Sequence, residues 1–215
     1  MRPLPDTVSD TGLPPAPAAL LFDCDGTLVL TADLHYNAIS RAAARQGHQM
    51  PREWYMSFTG LGRRDLFHRF AAEASATFDM DRLVKDSIAL TLDLTGHVRE
   101  NPLVAGLARR AFGRVPMAVV TNSEGSIARA VLAETQLSGL FDCIVTVEEA
   151  PRPKPAPDLY LSAAARLDAP PSGCLVLEDS DQGIDAARSA GMMWADVRSP
   201  DWPDRCDRLL AILAA

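Results

Sequence analysis

Short, continuously apolar runs alternate with stretches of helical periodicity along most of this chain. The apolar runs lie at residues 19–23, 115–120, 143–147, 174–178 and 193–197. They lack the polar alternation of half-exposed strands, which is typical of strands covered on both faces. Helical patterns separate the later runs, at residues 124–135, 157–168 and 181–190. Strands that alternate with helices predict an α/β fold built on a doubly wound parallel sheet.

Residues 31–100 follow a different pattern. Helical periodicity recurs there without a convincing strand, at residues 33–46, 63–75 and 80–95. Because this stretch interrupts the alternation after the first strand, it predicts an inserted all-helical domain. Residues 19–30 and 101–215 would then form the core, and the proline-rich residues 1–18 a mobile tail.

Composition and charge limit the classes of function. The chain has 215 residues, 47% of them hydrophobic, and a formal net charge of −7. This charge argues against a nucleic-acid partner, which needs a concentrated basic surface. No run of 18 apolar residues and no signal-peptide pattern is present, so no membrane partner is expected and the predicted location is the cytoplasm.

The sequence "LLFDCDGTL" ends the first apolar run with two acids, Asp23 and Asp25. Ligands of parallel sheets collect beyond the carboxyl ends of the strands, and a spacing of two residues sends both side chains the same way. Two adjacent carboxylates repel each other unless a proton or a cation lies between them. A magnesium ion satisfies that requirement, and a pair of solvated turn acids is the alternative.

Three further strand ends carry polar residues that suit a bound phosphate and a metal ion. They are Thr121 and Asn122 in "VVTNS", Lys154 in "RPKPAPDLY", and Glu178 and Asp179 in "LVLEDSDQG". Taken singly, helix caps and a surface lysine explain these residues equally well. Their joint occurrence at the ends of several strands of one sheet favours a shared site.

The ordered set "DCDGT", "TN", "KPAPD" and "EDSDQGIDAARSAGM" resembles the haloacid dehalogenase-like phosphatase superfamily, within it the β-phosphoglucomutase-like group of sugar-phosphate phosphatases and mutases. The resemblance covers residues 19–197. It implies a Rossmann-like core, a helical cap domain inserted after the first motif, and catalysis through an aspartyl-phosphate.

The resemblance also implies roles for single residues. Asp23 would be the nucleophile and Asp25 the general acid and base. Thr121, Asn122 and Lys154 would bind the transferred phosphoryl group.

The resemblance further implies a Mg²⁺ site. Asp179 would hold the ion together with Asp23 and the carbonyl oxygen of Asp25, and Glu178 would support it from beside the ion or through water.

Two residues of the insert are candidates for substrate contact. Arg63 lies in "FTGLGRRDLF", which resembles a cap loop of the family, and His35 lies where relatives have a histidine that faces the site. An exposed arginine at a helix start and a structural histidine are the alternatives. Where relatives commonly read "DGTLVDS", this chain has Leu30 and Thr31 in the last two places.

The expected function is a magnesium-dependent phosphatase that acts through an aspartyl-phosphate on a small phosphorylated metabolite, a sugar phosphate, in a monomer. A sugar phosphomutase of the β-phosphoglucomutase type is the alternative, because it uses the same reaction centre. A signalling receiver module also uses acids, a threonine and a lysine around a phosphorylated aspartate. Its motifs come in a different order along the chain, which argues against that class. A haloacid dehalogenase lacks the second acid of "DCDGT", which is Asp25 here.

Overall fold

The computed structural model describes residues 16–214, so most of the tail expected at residues 1–18 lies outside the described residues. In chain order the strands are β1 (Ala19–Phe22), β2 (Val29–Leu30), β3 (Arg99–Glu100), β4 (Met117–Val120), β5 (Cys143–Val145), β6 (Cys174–Glu178) and β7 (Met193–Asp196). The helices are α1 (Ala32–Ala44), α2 (Arg52–Met56), α3 (Arg63–Glu73), α4 (Met80–Leu94), α5 (Pro102–Ala111), α6 (Gly125–Glu134), α7 (Asp158–Arg166), α8 (Asp181–Ser189) and α9 (Trp202–Ala214).

The core is a parallel sheet of five strands in the order β5-β4-β1-β6-β7. Leu20 of β1 pairs with Met117 of β4 on one side and with Leu175 of β6 on the other. Because the chain first extends the sheet from β1 towards β5 and then returns to β6, the strand order reverses beside β1. The carboxyl end of β1, which leads into Asp23, therefore lies at the point where ligands of such sheets bind.

Both faces of the sheet are covered by helices, as the continuously apolar strands predict. Alternate residues of β1 face opposite ways, so Leu20 packs into one apolar cluster and Leu21 into another. The first cluster includes residues of α5, α6 and α9, and the second includes residues of α7 and α8. The prediction of a Rossmann-like, doubly wound α/β core is confirmed.

Helices α1 to α4 form the insert between β2 and β3, and they have an apolar cluster of their own. Phe67, Leu83 and Ile39 belong to this third cluster and are almost completely buried. The fold is therefore a sheet core with an inserted helical cap, as predicted. The limits of 31–100 for the cap stay a prediction.

The expectation that residues 31–100 contain no strand is wrong at one end. Arg99–Glu100 pairs antiparallel with Val29–Leu30, so a two-residue ribbon joins the insert to the core. Two residues are too few to show a period in the sequence. Helices α2 and α5 also went unpredicted.

None of the helices within residues 16–214 has the length and apolar character that a membrane crossing needs.

Candidate active site

A cavity of about 220 Å³ lies between the carboxyl edge of the sheet and the insert. The structure brings eight of the predicted site residues to its walls: Asp23, Asp25, Thr121, Asn122, Lys154, Asp179, His35 and Arg63. The ninth, Glu178, is completely buried and contacts Lys154. Cys24 packs in the apolar core, so its two neighbouring acids face the cavity together.

The ammonium group of Lys154 lies between two carboxylates at the base of the cavity. Its Nζ donates to Asp23 Oδ1 and to Glu178 Oε1, both at 2.7 Å, and to the carbonyl oxygen of Val120 at 2.8 Å. Burial lowers the pKa of Lys154, but the two carboxylates outweigh burial and hold that pKa well above its ordinary value. Lys154 therefore stays cationic.

Glu178 at the end of β6 has its carboxylate fully engaged within the protein. Oε1 accepts hydrogen bonds from Lys154 and Tyr160. Oε2 accepts from the backbone N–H groups of Asp179 and Ser180 and from the Ser180 hydroxyl. Since a carboxylate offers about four lone-pair positions, Glu178 orients Lys154 and has little capacity left for direct metal binding.

Asp25 accepts hydrogen bonds from four side chains. Oδ1 lies 2.8 Å from both Thr31 Oγ1 and His35 Nε2, and Oδ2 lies 2.5 Å from Ser123 Oγ and 3.3 Å from Thr121 Oγ1. Burial raises the pKa of Asp25, but the His35 imidazole and the Ser123 and Thr31 hydroxyls outweigh burial and lower it below its ordinary value.

Asp23, Glu178 and Asp179 bring carboxylate oxygens within 4.8 Å of one another. Burial raises the pKa of Asp23 well above its ordinary value, and Glu178 raises it further, while Lys154 opposes both effects. Burial and Glu178 also raise the pKa of Asp179 to about 7. A cation bound between Asp23 and Asp179 would relieve this mutual repulsion.

The available donor atoms fit a hard divalent ion. Among the described residues, no hydrogen-bond donor contacts Oδ2 of Asp23 or Oδ2 of Asp179, whereas Oδ1 of each is engaged by Lys154 and Thr27 respectively. Two free carboxylate oxygens at a partly buried edge suit Mg²⁺, which binds one or two carboxylates and keeps several waters.

Gly26 lets the loop after β1 approach Asp179. Its φ of +92° lies in the left-handed region, and a Cβ atom at this position would overlap Asp179 Oδ2. Both the left-handed backbone conformation and the closeness of Asp179 therefore require a glycine at position 26.

Asn122 holds two loops and the insert together. Its Oδ1 accepts from the backbone N–H of Lys154 at 2.9 Å, and its Nδ2 donates to the carbonyl oxygens of Lys154 and of Gly60 in the insert, both at 3.1 Å. In this structure, Asn122 thus positions the Lys154 loop and contacts the cap loop.

Arg63 and His35 of the insert contact the core residues of the site. Arg63 Nε donates to both carboxylate oxygens of Glu124, at 3.0 and 3.1 Å, and Arg63 Nη2 lies 3.5 Å from His35 Nδ1. Arg63 is only 7% exposed, so it is not the surface arginine of the alternative interpretation.

Sequence reasoning missed Ser123 and Glu124 as site residues and gave Thr31 no role. Thr31 and Ser123 donate to Asp25, and Glu124 pairs with Arg63. Ser123 and Glu124 directly follow "TN" at a strand end, and this position could have indicated that they belong to the site. A serine before a helix is also a common helix cap, and that interpretation needs no site.

Comparison with known proteins adds independent evidence. Residues 20–197 match the family described as "Haloacid dehalogenase-like hydrolase". Fructose-1-phosphate phosphatase YqaB of Escherichia coli is 36% identical over 182 residues, which cover 84% of this chain and 96% of that protein.

Solved structures share the architecture. CbbY from Rhodobacter sphaeroides in complex with phosphate has a TM-score of 0.75 at 28% identity, covering 83% of this chain and 84% of that chain. β-Phosphoglucomutase from Clostridium difficile also has a TM-score of 0.75, covering 86% of this chain and 87% of the other, and at 23% identity it shows the fold alone. The chain belongs to the haloacid dehalogenase-like hydrolase family, as its motifs indicated, and is a phosphomonoester hydrolase.

Proposed function

We propose that this protein is a magnesium-dependent phosphatase that hydrolyses a sugar phosphate through a phosphorylated Asp23. The observation that carries the proposal is the setting of the Asp23 carboxylate. It lines the cavity at the strand-order reversal, with Lys154 Nζ at 2.7 Å and acidic partners within 4.8 Å. A cation beside the nucleophile, such as the ammonium group of Lys154, is needed to bring an anionic carboxylate to an anionic phosphate.

In the first step, Asp23 forms a bond to phosphorus while the bond from phosphorus to the sugar oxygen breaks. The leaving oxygen needs a proton, and Asp25 is placed to give it. Because the pKa of Asp25 is lowered in the free site, Asp25 must take up this proton before it gives it to the leaving oxygen. Asp25 Oδ1 lies 2.8 Å from His35 Nε2, and we assign this contact as the route by which the proton reaches Asp25.

In the second step, Asp25 withdraws a proton from water, which attacks phosphorus and releases Asp23 and inorganic phosphate. Lys154, Thr121 and Asn122 would bind the oxygens of the transferred group. In the structure, Asn122 fixes the Lys154 backbone and Glu178 fixes the ammonium group.

Asp23, Asp179 and the carbonyl oxygen of Asp25 would hold Mg²⁺, with Glu178 acting from beside them. When bound, the ion supplies positive charge that offsets the negative charge of the phosphoryl group.

The substrate class rests on the relatives and on the cavity. YqaB is a fructose-1-phosphate phosphatase, and another relative, from Thermotoga maritima and 28% identical, is a phosphorylated carbohydrates phosphatase. A volume of about 220 Å³ lies below the roughly 300–1,000 Å³ of sites for drug-sized ligands, which suits a small metabolite. The monomeric state and the cytoplasmic location stay predictions.

Phosphate release from a panel of sugar phosphates, phosphoglycolate and nucleotides tests the proposal. We expect the wild type to release phosphate from sugar phosphates, EDTA to abolish the activity and Mg²⁺ to restore it. The Asp23→Asn variant should be inactive yet folded, whereas Asp207→Asn, a matched change on the exposed side of α9, should be fully active.

Normal turnover by Asp23→Asn would end its assignment as the nucleophile, and full activity in EDTA would contradict the metal site. Isomerisation of a sugar phosphate with a bisphosphate primer, without release of phosphate, would identify the mutase instead.

A further inference from the structure

An ion pair between insert and core closes one side of the cavity. Arg63, at the start of α3, donates through Nε to both carboxylate oxygens of Glu124, the residue before α6. Their side chains are only 5% and 17% exposed. Both residues also line a neighbouring cavity of about 280 Å³. The ion pair therefore lies between the two cavities.

This ion pair changes the charge that a substrate meets. The described residues lining the main cavity include two permanently cationic side chains, Lys154 and Arg63. Lys154 is already engaged by Asp23 and Glu178 at the phosphoryl-transfer end. Glu124 cancels the charge of Arg63, so the part of the cavity beside Arg63, which we call the far end, has no net positive charge from these two residues.

Arg63 nevertheless keeps capacity for hydrogen bonding. Its Nη1 is buried without a partner among the described residues, and its Nη2 has only the long contact of 3.5 Å to His35. A buried donor without a partner is costly, so an acceptor on a bound ligand would relieve that cost. A neutral ligand oxygen meets this need without adding charge.

The rest of the far end is poor in positive charge. The described insert residues that line the cavity include Tyr55, Phe58, Leu61 and Leu66, and no lysine or arginine other than Arg63. A second phosphate group placed beside Arg63 would lie near the Glu124 carboxylate, and juxtaposed like charges in a desolvated site are strongly unfavourable.

We propose that Glu124 is a specificity-determining residue that restricts the site to sugar monophosphates whose far end carries hydroxyl or carbonyl oxygens, and excludes bisphosphates. This inference rests on the proposed function, because it assigns the transferred phosphate to the Lys154 end. Arg63 then binds a neutral oxygen, and Glu124 removes the charge with which Arg63 would otherwise bind a second phosphate.

Binding measurements test this inference without turnover. Calorimetry with Mg²⁺ would compare fructose 1-phosphate and fructose 1,6-bisphosphate, which differ by one phosphate, on the Asp23→Asn variant and on Asp23→Asn combined with Glu124→Gln. We expect the monophosphate to bind more tightly to the first variant. Glu124→Gln should shift the ratio of the two affinities towards the bisphosphate by about tenfold or more.

Glu73→Gln in the Asp23→Asn background is the matched control, because Glu73 also pairs with an arginine of the insert, Arg69, but lies outside the cavity. It should leave the affinity ratio unchanged. An equal change in both affinities upon Glu124→Gln would mean that Glu124 only holds the insert in place, and would overturn the inference. So would tighter binding of the bisphosphate before Glu124 is changed, or no binding of either sugar.

A failure of the proposed function has a different outcome. In that case the wild type would bind fructose 1-phosphate and release no phosphate from it.

Discussion

Lys154 shows at the scale of one residue how the site depends on balanced charge. Its ammonium group contacts Asp23 and Glu178 and lies 4.7 Å from the centre of the Tyr160 ring. Without it, two buried carboxylates would face each other with no cation between them. The lysine therefore stabilises the fold, in addition to the role in phosphate binding proposed above.

We predict that Lys154→Met abolishes phosphate release and lowers the free energy of unfolding by about 3–5 kcal/mol, as is typical when one partner of a buried ion pair is removed. Urea denaturation followed by circular dichroism measures the second effect. Lys85→Met, at the exposed lysine of α4, is the control and should be close to neutral. Unchanged stability of Lys154→Met would contradict the buried contacts.

His35 contacts the Asp25 carboxylate and lowers its pKa. Burial raises the pKa of Asp25 and His35 lowers it, so His35→Ala should raise the pKa of this carboxyl group. In the wild type, the lowered pKa stabilises the fold above the ordinary titration range of an aspartate, and this contribution is lost as the pH falls through the lowered value. His35→Ala should therefore reduce stability at neutral pH.

Carboxyl-carbon NMR with pH titration measures the shift directly. His48→Ala serves as the control, because His48 contacts Thr77 and Phe78 instead of Asp25. An Asp25 titration that is the same in both variants would show that His35 does not set this pKa.

The acids Asp23, Asp25, Glu178 and Asp179 could be predicted because each lies at or just after the end of a short apolar run. The residues that contact the predicted site residues, namely Thr31, Ser123 and Glu124, could not be predicted. Ser123 and Glu124 resemble an ordinary helix start in the sequence, and Thr31 lies before α1. The partner of a hydroxyl group depends on which distant segments lie together in the fold. Asp25 and Ser123, for example, are 98 positions apart in the sequence.

At the scale of elements, the close contact between β6 and α8 depends on Gly183. A Cβ atom there would overlap the carboxylate of Glu178, the last residue of β6. The helix can begin directly above this buried acid only because residue 183 has no side chain.

A pair of glycine substitutions tests that contact. Gly183→Ala should lower the free energy of unfolding by about 1–3 kcal/mol through overpacking, and it should reduce activity by displacing Glu178. Gly106→Ala, in α5 with open space around the position, should raise stability by about 0.5–1 kcal/mol, because alanine favours helix. Thermal unfolding by calorimetry measures both, and the same sign of change for both variants would contradict the packing argument.

The strands of the sheet could be predicted within two residues at each end, because buried parallel strands leave uninterrupted apolar runs. The short elements could not. Helix α2 has five residues, and the β2–β3 ribbon has two residues on each side, so neither forms a repeating pattern.

At the scale of the whole molecule, the separate apolar cluster of the insert suggests that the cap unfolds in part independently of the sheet. We predict that Phe67→Ala, in that cluster, speeds hydrogen exchange in residues 31–100 much more than in the sheet strands. Phe67→Ala should lower the free energy of unfolding of the cap by about 3–5 kcal/mol.

Phe22→Ala, in a core cluster of the sheet, should instead speed exchange throughout the molecule. Mass spectrometry of exchanged peptides distinguishes the two patterns. Uniform exchange after Phe67→Ala would mean that the insert and the core unfold as one unit.

The β2–β3 ribbon places both chain connections of the insert side by side. A movement of the insert that keeps this pairing leaves its attachment fixed and separates the contacts at the opposite side, where Gly60 meets Asn122 and Arg63 meets Glu124. The time for which a product stays enclosed would then depend on the hydrogen bond from the Asn122 amide to Gly60 and on the Arg63–Glu124 ion pair, neither of which involves Asp23. Substitutions at these two contacts would therefore change the rate of release and leave Asp23 itself unchanged.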